Sequence, residues 1–205
     1  MKKTFEKELP GGYRQVFYIN AKNALVGIVM NVIAFFVMIA VIVFAFLLLF
    51  LKGNVDFTIS PEETLIGLLC FLLGMVAYMV LHELVHGAVY KMETGEKLTF
   101  GLSWSCAFCG VPSIYVYRKS ALFAVAAPLV VFSVVLLALC VGMYFCNPLA
   151  FILSSVLFGL HLGGCSGDIF VIGLLLLKYR SPSVLIRDTG PEQFIYLPEH
   201  DEGAL

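Results

Sequence analysis

The chain has 205 residues, 60% hydrophobic and 13% charged, with a formal net charge of −1 and a mean hydropathy of +0.96. This composition excludes an ordinary soluble domain of this length, and the charge balance gives no ground for a nucleic-acid partner. It calls for an integral membrane protein of all-α class, a single domain over residues 1–205.

Crossing a bilayer core of about 30 Å takes about 20 apolar residues in a helix. Four stretches meet that length, 24–51, 64–90, 120–146 and 149–177. The segment ahead of the first span carries Lys2, Lys3, Lys7, Arg14 and Lys22, and its mixed polar character does not match a secretory signal. The first span has no charged side chain. Asn31 within it suits a helix–helix hydrogen bond.

In the second span the acidic and basic side chains between residues 64 and 90 are His82, Glu83 and His86. Burying each in hydrocarbon costs at least about 2.5 kcal/mol unless something compensates. A bound metal compensates. His82-Glu83-Leu84-Val85-His86 spells H-E-x-x-H, and residues four apart on a helix share a face. Two imidazoles can therefore grip one zinc ion while the glutamate stands beside a zinc-activated water as general base.

The loop after this span holds Lys91, Lys97, Arg118 and Lys119. Its residues 98–105 and 114–117 are rich in aromatic and branched side chains, with the turn formers Gly110 and Pro112 between them. This predicts a short β-hairpin-like loop between spans two and three. An edge strand there would let an unwound substrate add by main-chain hydrogen bonds; a plain connector is the alternative. Cys106 and Cys109 form a C-x-x-C unit, half a zinc knuckle with no second pair to complete it, so packing is the expected role. A reducing compartment disfavours a disulfide. Cys70, Cys140, Cys146 and Cys165 read as small apolar fillers.

Pro128 predicts a kink in the third span. In the fourth span, 149–177, the acidic and basic groups are His161 and Asp168, with Gly163, Gly164 and Gly167 between them. At the helical rise, His82 lies roughly 13 Å and His86 roughly 7 Å from Lys91, while Asp168 lies roughly 15 Å and His161 roughly 25 Å from Lys178. Asp168 can thus meet the two histidines as a third ligand, and the glycines loosen the helix enough to bring it in. Asp168 as a packing carboxylate is the plainer alternative. His161 suits a satisfied interior histidine, a hydrogen bond steadying the site, or a substitute ligand if the helix breaks. The tail, 178–205, carries Lys178, Arg180 and Arg187. By the positive-inside rule both termini and the loop 91–119 face the cytoplasm, and the connections at 52–61 and at Asn147-Pro148 face out.

H-E-L-V-H on one span and S-G-D-I on a later one resemble the putative zincin peptidase family of small bacterial membrane proteins, similar in layout to the site-2-type intramembrane zinc metalloproteases. The resemblance covers most of the chain, from the second span into the tail. It implies His82, His86 and Asp168 as zinc ligands, Glu83 as catalytic base, and a bacterial source. The chain departs from the site-2 pattern in lacking an N-P-x-D-G sequence and an appended PDZ-like module.

The expected protein is therefore a multi-pass cell-membrane metallopeptidase with one zinc per chain. It would hydrolyse peptide bonds in membrane-inserted or membrane-proximal protein substrates within the lipid bilayer. The rival classes are a non-catalytic metal- or peptide-binding membrane protein of immunity or scaffold type, which has no need of Glu83, and an ion transporter, which needs a polar path that spans one and three do not offer. Nothing in the sequence sets an oligomeric state.

Overall fold

The computed structural model describes residues 3–53, 59–103 and 107–200. Lys2, residues 54–58 of the expected outer connection, and Trp104, Ser105 and Cys106 of the expected hairpin lie outside the described residues. In chain order the elements are β1 (Phe5–Glu6), β2 (Tyr13–Asn20), α1 (Ala24–Lys52), α2 (Pro61–Thr94), β3 (Thr99–Leu102), β4 (Ala107–Gly110), β5 (Tyr115–Tyr117), α3 (Arg118–Cys146), α4 (Pro148–Gly164), α5 (Ser166–Gly173), a π-helical turn (Leu174–Lys178), β6 (Leu185–Asp188) and β7 (Glu192–Pro198).

Among the described residues four helical stretches are long and apolar enough to cross a membrane: Ala24–Lys52, Pro61–Thr94, Arg118–Cys146 and Pro148–Lys178. Their starts are written in the sequence. The Asn23 side chain accepts from the Leu25 amide at 2.9 Å, and that of Asn147 accepts from Ala150 N at the same distance, ahead of Pro148. Ser60 and Glu63 cap each other reciprocally, Ser60 N donating to Glu63 Oε2 at 2.9 Å and Glu63 N to Ser60 Oγ at 3.1 Å. These are the side-chain acceptors that first-turn amides require.

The all-α class expected from the sequence is overturned. Helix makes up 64% of the structure and strand 17%, and the strands build a five-stranded antiparallel sheet in the order β1-β5-β6-β7-β2. The reason is local. The segments flanking the spans, among them Tyr13–Asn20 and Glu192–Pro198, are aromatic and β-branched enough to pair. Pairing also satisfies backbone groups that a packed connector would leave bare. Val116 lies opposite Ile186, and Ile186 opposite Ile195, so three buried side chains form a row across β5, β6 and β7. The hairpin expected over 98–117 closes earlier, between β3 and β4; residues 115–117 instead pair with β1 and β6.

Contacts divide the chain into two compact units: Met1–Ile28 with Leu81–Pro128 and Gly167–Leu205, and Val29–Val80 with Leu129–Ser166. The core of the first gathers Val116, Val184, Ile186, Ile195 and Leu197 from sheet segments with Tyr90, Ala121, Ala124, Val171 and Leu175 from helices. In the second, α4 approaches α1 through glycine. A Cβ on Gly163 would lie 2.6 Å from Ala34 O and 2.7 Å from Ala34 Cα, and one on Gly159 would lie 3.0 Å from Met38 Cα. Two backbones this close leave no room for a side chain, the pattern that small residues give to helix pairs in lipid.

Gly163→Ala is therefore expected to lower the thermal unfolding midpoint of the detergent-solubilised protein, by the ~1–3 kcal/mol that overpacking costs. Gly164→Ala, where a Cβ meets nothing within 4 Å, should unfold as the parent does. Equal midpoints for the two variants would contradict this close approach.

Candidate metal centre

The helix α2 presents one buried line of side chains: His82, His86 and Tyr90, each four residues on from the last. Gly87 belongs to the same buried stretch, and a Cβ there would lie 2.7 Å from Phe100 Cζ, so β3 packs directly against the motif. Glu83 is half-buried beside this line.

Asp168 arrives from a break in the fourth span. The helix α4 ends at Gly164, Cys165 caps it with its N–H on His161 O at 3.0 Å, and α5 starts at Ser166 with Asp168 in its first turn. Its carboxylate meets both histidines. Asp168 Oδ2 lies 3.3 Å from His82 Nε2, and Asp168 Oδ1 lies 3.6 Å from His86 Nε2.

The other side of the His86 ring fixes its tautomer. Nδ1 lies 2.8 Å from Ala124 O in α3, and a carbonyl only accepts, so Nδ1 carries the proton. The lone pair of the neutral ring is then on Nε2, facing Asp168. A metal-ligating histidine ordinarily donates its second ring N–H to such a partner.

The donor atoms of His82, His86 and Asp168 all lie within 4.8 Å of one another. Ligands of a tetrahedral zinc at about 2.0–2.1 Å stand about 3.4 Å apart, and the carboxylate turns one oxygen to each imidazole at about that spacing, 3.3 and 3.6 Å, so that either oxygen is near enough to complete the set. Two imidazoles and one carboxylate are also the borderline donor set that zinc takes in catalytic sites, with one position left open. The residues fit the metal.

His161, the alternative ligand, belongs to the second unit. It is fully buried, with Tyr78 Oη 2.9 Å from Nδ1, Ser133 Oγ 3.0 Å from Nε2 and Cys165 Sγ 3.6 Å from Nδ1. Both ring nitrogens thus already have hydroxyl partners. Cys109 is buried in β4, where burial, followed by the charges of Asp188 and Glu83, pushes its thiol up to about 12. It is a neutral thiol at physiological pH, in keeping with a packing role, and its C-x-x-C partner Cys106 lies outside the described residues.

Asp188 belongs to no motif in the sequence. This residue ends β6, is buried, and gathers three parts of the first unit. Tyr90 Oη donates to its Oδ2 at 2.7 Å from the motif helix, Gly190 N to its Oδ1 at 2.8 Å, and Gln193 Nε2 to Oδ2 at 3.2 Å. Its backbone carbonyl accepts Val111 N at 2.8 Å, just past β4. Gly110 sits so close to the β6–β7 turn that a Cβ would run into Gly190 N and lie 2.6 Å from Thr189 C. The motif helix is thereby seated on the sheet by the Asp188 carboxylate, and the segment after the hairpin by the carbonyl of the same residue.

A zincin-type motif with a convergent carboxylate defines the class of the site. A family model described as "Putative zincin peptidase" matches residues 75–184, over half of the 205 residues, and the chain belongs to that family. No curated protein and no solved structure matches it.

Burial raises the Asp188 pKa to about 6, against the Tyr90, Gly190 and Gln193 bonds that pull it down. A carboxyl raised in the folded state favours folding fully below its unfolded pKa of 3.8, and that contribution is lost as pH rises through about 6. The parent should therefore lose stability between pH 4 and 6 relative to Asp188→Asn, which has no such group to ionise. Unfolding midpoints measured across this range check it, and parallel profiles would contradict it.

Proposed function

We propose that the chain is a membrane-embedded zinc metallopeptidase of site-2-like layout, in which His82, His86 and Asp168 hold the metal and Glu83 is the general base. The observation that carries this reading is the convergence of three metal-donor atoms, two of them flanking Glu83 on a helix otherwise apolar enough to span a bilayer.

Membrane embedding has two supports. Large apolar side chains stand exposed along the candidate spans, for example Phe36, Phe50, Leu73, Val134 and Phe145, where a soluble protein would not carry so extended an apolar surface. The basic residues Lys22, Lys91, Arg118, Lys119 and Lys178 all stand at or just before helix ends that belong to the unit containing the sheet. By the positive-inside rule that unit faces the cytoplasm.

Zinc bound here supplies a Lewis acid that acidifies water and polarises a peptide carbonyl. Glu83 takes the proton from the attacking water and returns it to the departing amine. Its carboxyl meets the backbone amide of Cys109 in β4, which places the base beside a strand of the hairpin. The hairpin pairs with no other strand among the described residues, and its more exposed strand, β3, suits an extended peptide that adds as a further strand. A substrate helix in the bilayer must unwind to expose a peptide bond, and strand addition replaces the hydrogen bonds it gives up. The substrate class is accordingly a membrane-inserted or membrane-proximal segment.

Elemental analysis of protein purified without chelators should give about one zinc per chain. Asp168→Ala and His86→Ala should lose it. Glu83→Gln should retain the metal but fall by at least ~100-fold in cleavage of a library of membrane segments, the scale of general-base catalysis. Metal-free parent protein would overturn the zinc assignment, and cleavage by Glu83→Gln at the parent rate would overturn the assignment of the base.

A further inference from the structure

The Ala124 carbonyl sits inside α3, where it would ordinarily accept the amide of residue 128, four positions on. Residue 128 is a buried proline. Proline has no N–H, and its ring pushes away the carbonyl four residues earlier. The acceptor that the sequence deprives of its helical partner is the one that His86 Nδ1 reaches at 2.8 Å. Ala124 is itself 0% exposed, so water is not at hand to replace the missing amide. Each of two buried groups, a carbonyl without its amide and an imidazole N–H, is satisfied by the other.

We propose that Pro128 is a positioning residue of the metal centre. By withholding one backbone amide it keeps Ala124 O open to His86 Nδ1–H, and so turns the Nε2 lone pair toward Asp168. This rests on the assignment of His86 as a metal ligand, but its structural half, the orientation of the ring, holds in the metal-free protein as well. An alanine at 128 would supply the amide and straighten the helix, and Ala124 O would then be shared or lost. A His86 ring released from it is free to take the other tautomer, whose proton lies on the nitrogen that the metal requires. The kink itself is the rival cause, because proline bends a helix whether or not a side chain uses the freed carbonyl.

The test uses the full-length protein in lipid nanodiscs with 15N-labelled histidine, in three forms: the parent, Pro128→Ala, and a form with lactic acid replacing Pro128. The last lacks the amide N–H, as proline does, but has no ring to force the kink. Nitrogen spectra are recorded metal-free at alkaline pH, where the imidazole is neutral, with the His86 signal assigned by its loss in His86→Asn. Zinc affinity is measured separately by chelator competition. The parent and the lactic-acid form are expected to show His86 protonated on Nδ1 and to bind zinc alike. Pro128→Ala is expected to lose that single tautomer and to bind zinc ~10–100-fold more weakly, the range for partners that orient a metal ligand. Parent-like spectra and affinity in Pro128→Ala would overturn the proposal. So would loss of the tautomer in the lactic-acid form, which would assign the effect to the kink. A parent with the Nδ1 tautomer but no affinity for zinc would overturn the metal assignment of the site and, with it, the role of Pro128 at a metal centre.

Discussion

Two imidazoles and a carboxylate in the middle of an apolar helix must find partners, because neither lipid nor an apolar core supplies any. The architecture around α2 is a set of answers to that demand. His82 and His86 meet Asp168, and the other face of His86 meets Ala124 O. One turn further on, Tyr90 meets Asp188, and beyond it Glu93 accepts the Ser120 hydroxyl at 2.5 Å. A single stripe of the helix, stepping by three or four residues, is thus matched partner by partner against α5, α3 and the sheet. Each of those elements is irregular where it makes its match: α4 gives way to α5 at Cys165, α3 contains a proline, and β6 ends in a tight turn.

The sheet explains why such a site can be held on short helix ends. Through the Asp188 carboxylate and carbonyl, it grips the motif helix and the segment after β4 at once. Gly110 lets the hairpin backbone lie directly against the β6–β7 turn on one side, and Gly87 makes room on α2 for the Phe100 ring on the other. The result is a hairpin strand held beside Glu83. Sites supported by packed regular elements hold their geometry better than sites carried on loops.

The helices were legible because their signal is strong. Runs of more than 20 apolar residues bounded by Asn23, Ser60-Pro61 and Asn147-Pro148 leave little freedom, and the break before Asp168 is written in Gly163, Gly164 and Gly167. The H-E-x-x-H spacing and the depth of Asp168 sufficed to name three groups that the fold does bring together. The sheet was missed because its strands lie in the mixed polar segments outside the spans, and hydropathy over long windows averages them into tails. A signal existed. In residues 184–198, Val-Leu-Ile-Arg and Gln-Phe-Ile-Tyr flank Asp-Thr-Gly-Pro, a strand–turn–strand pattern. No such signal existed for Ala124, whose part is played by a backbone carbonyl, nor for the pairing of Tyr90 with Asp188, separated by 98 positions. Pro128 was readable as a proline inside a span. The use made of the carbonyl it frees depends on which helix packs there.

The identity of the atoms around the metal is the most direct point of attack, and zinc K-edge X-ray absorption on the purified, zinc-loaded protein reads it without an assay for cleavage. Ligation by His82, His86 and Asp168 requires a nitrogen and oxygen shell at about 2.0–2.1 Å with the outer scattering of two imidazoles. A sulfur shell at about 2.3 Å would mean that a cysteine takes the metal instead, and the scattering of a single imidazole would mean that the two histidines of the motif do not grip one ion. Either result would contradict the site described above.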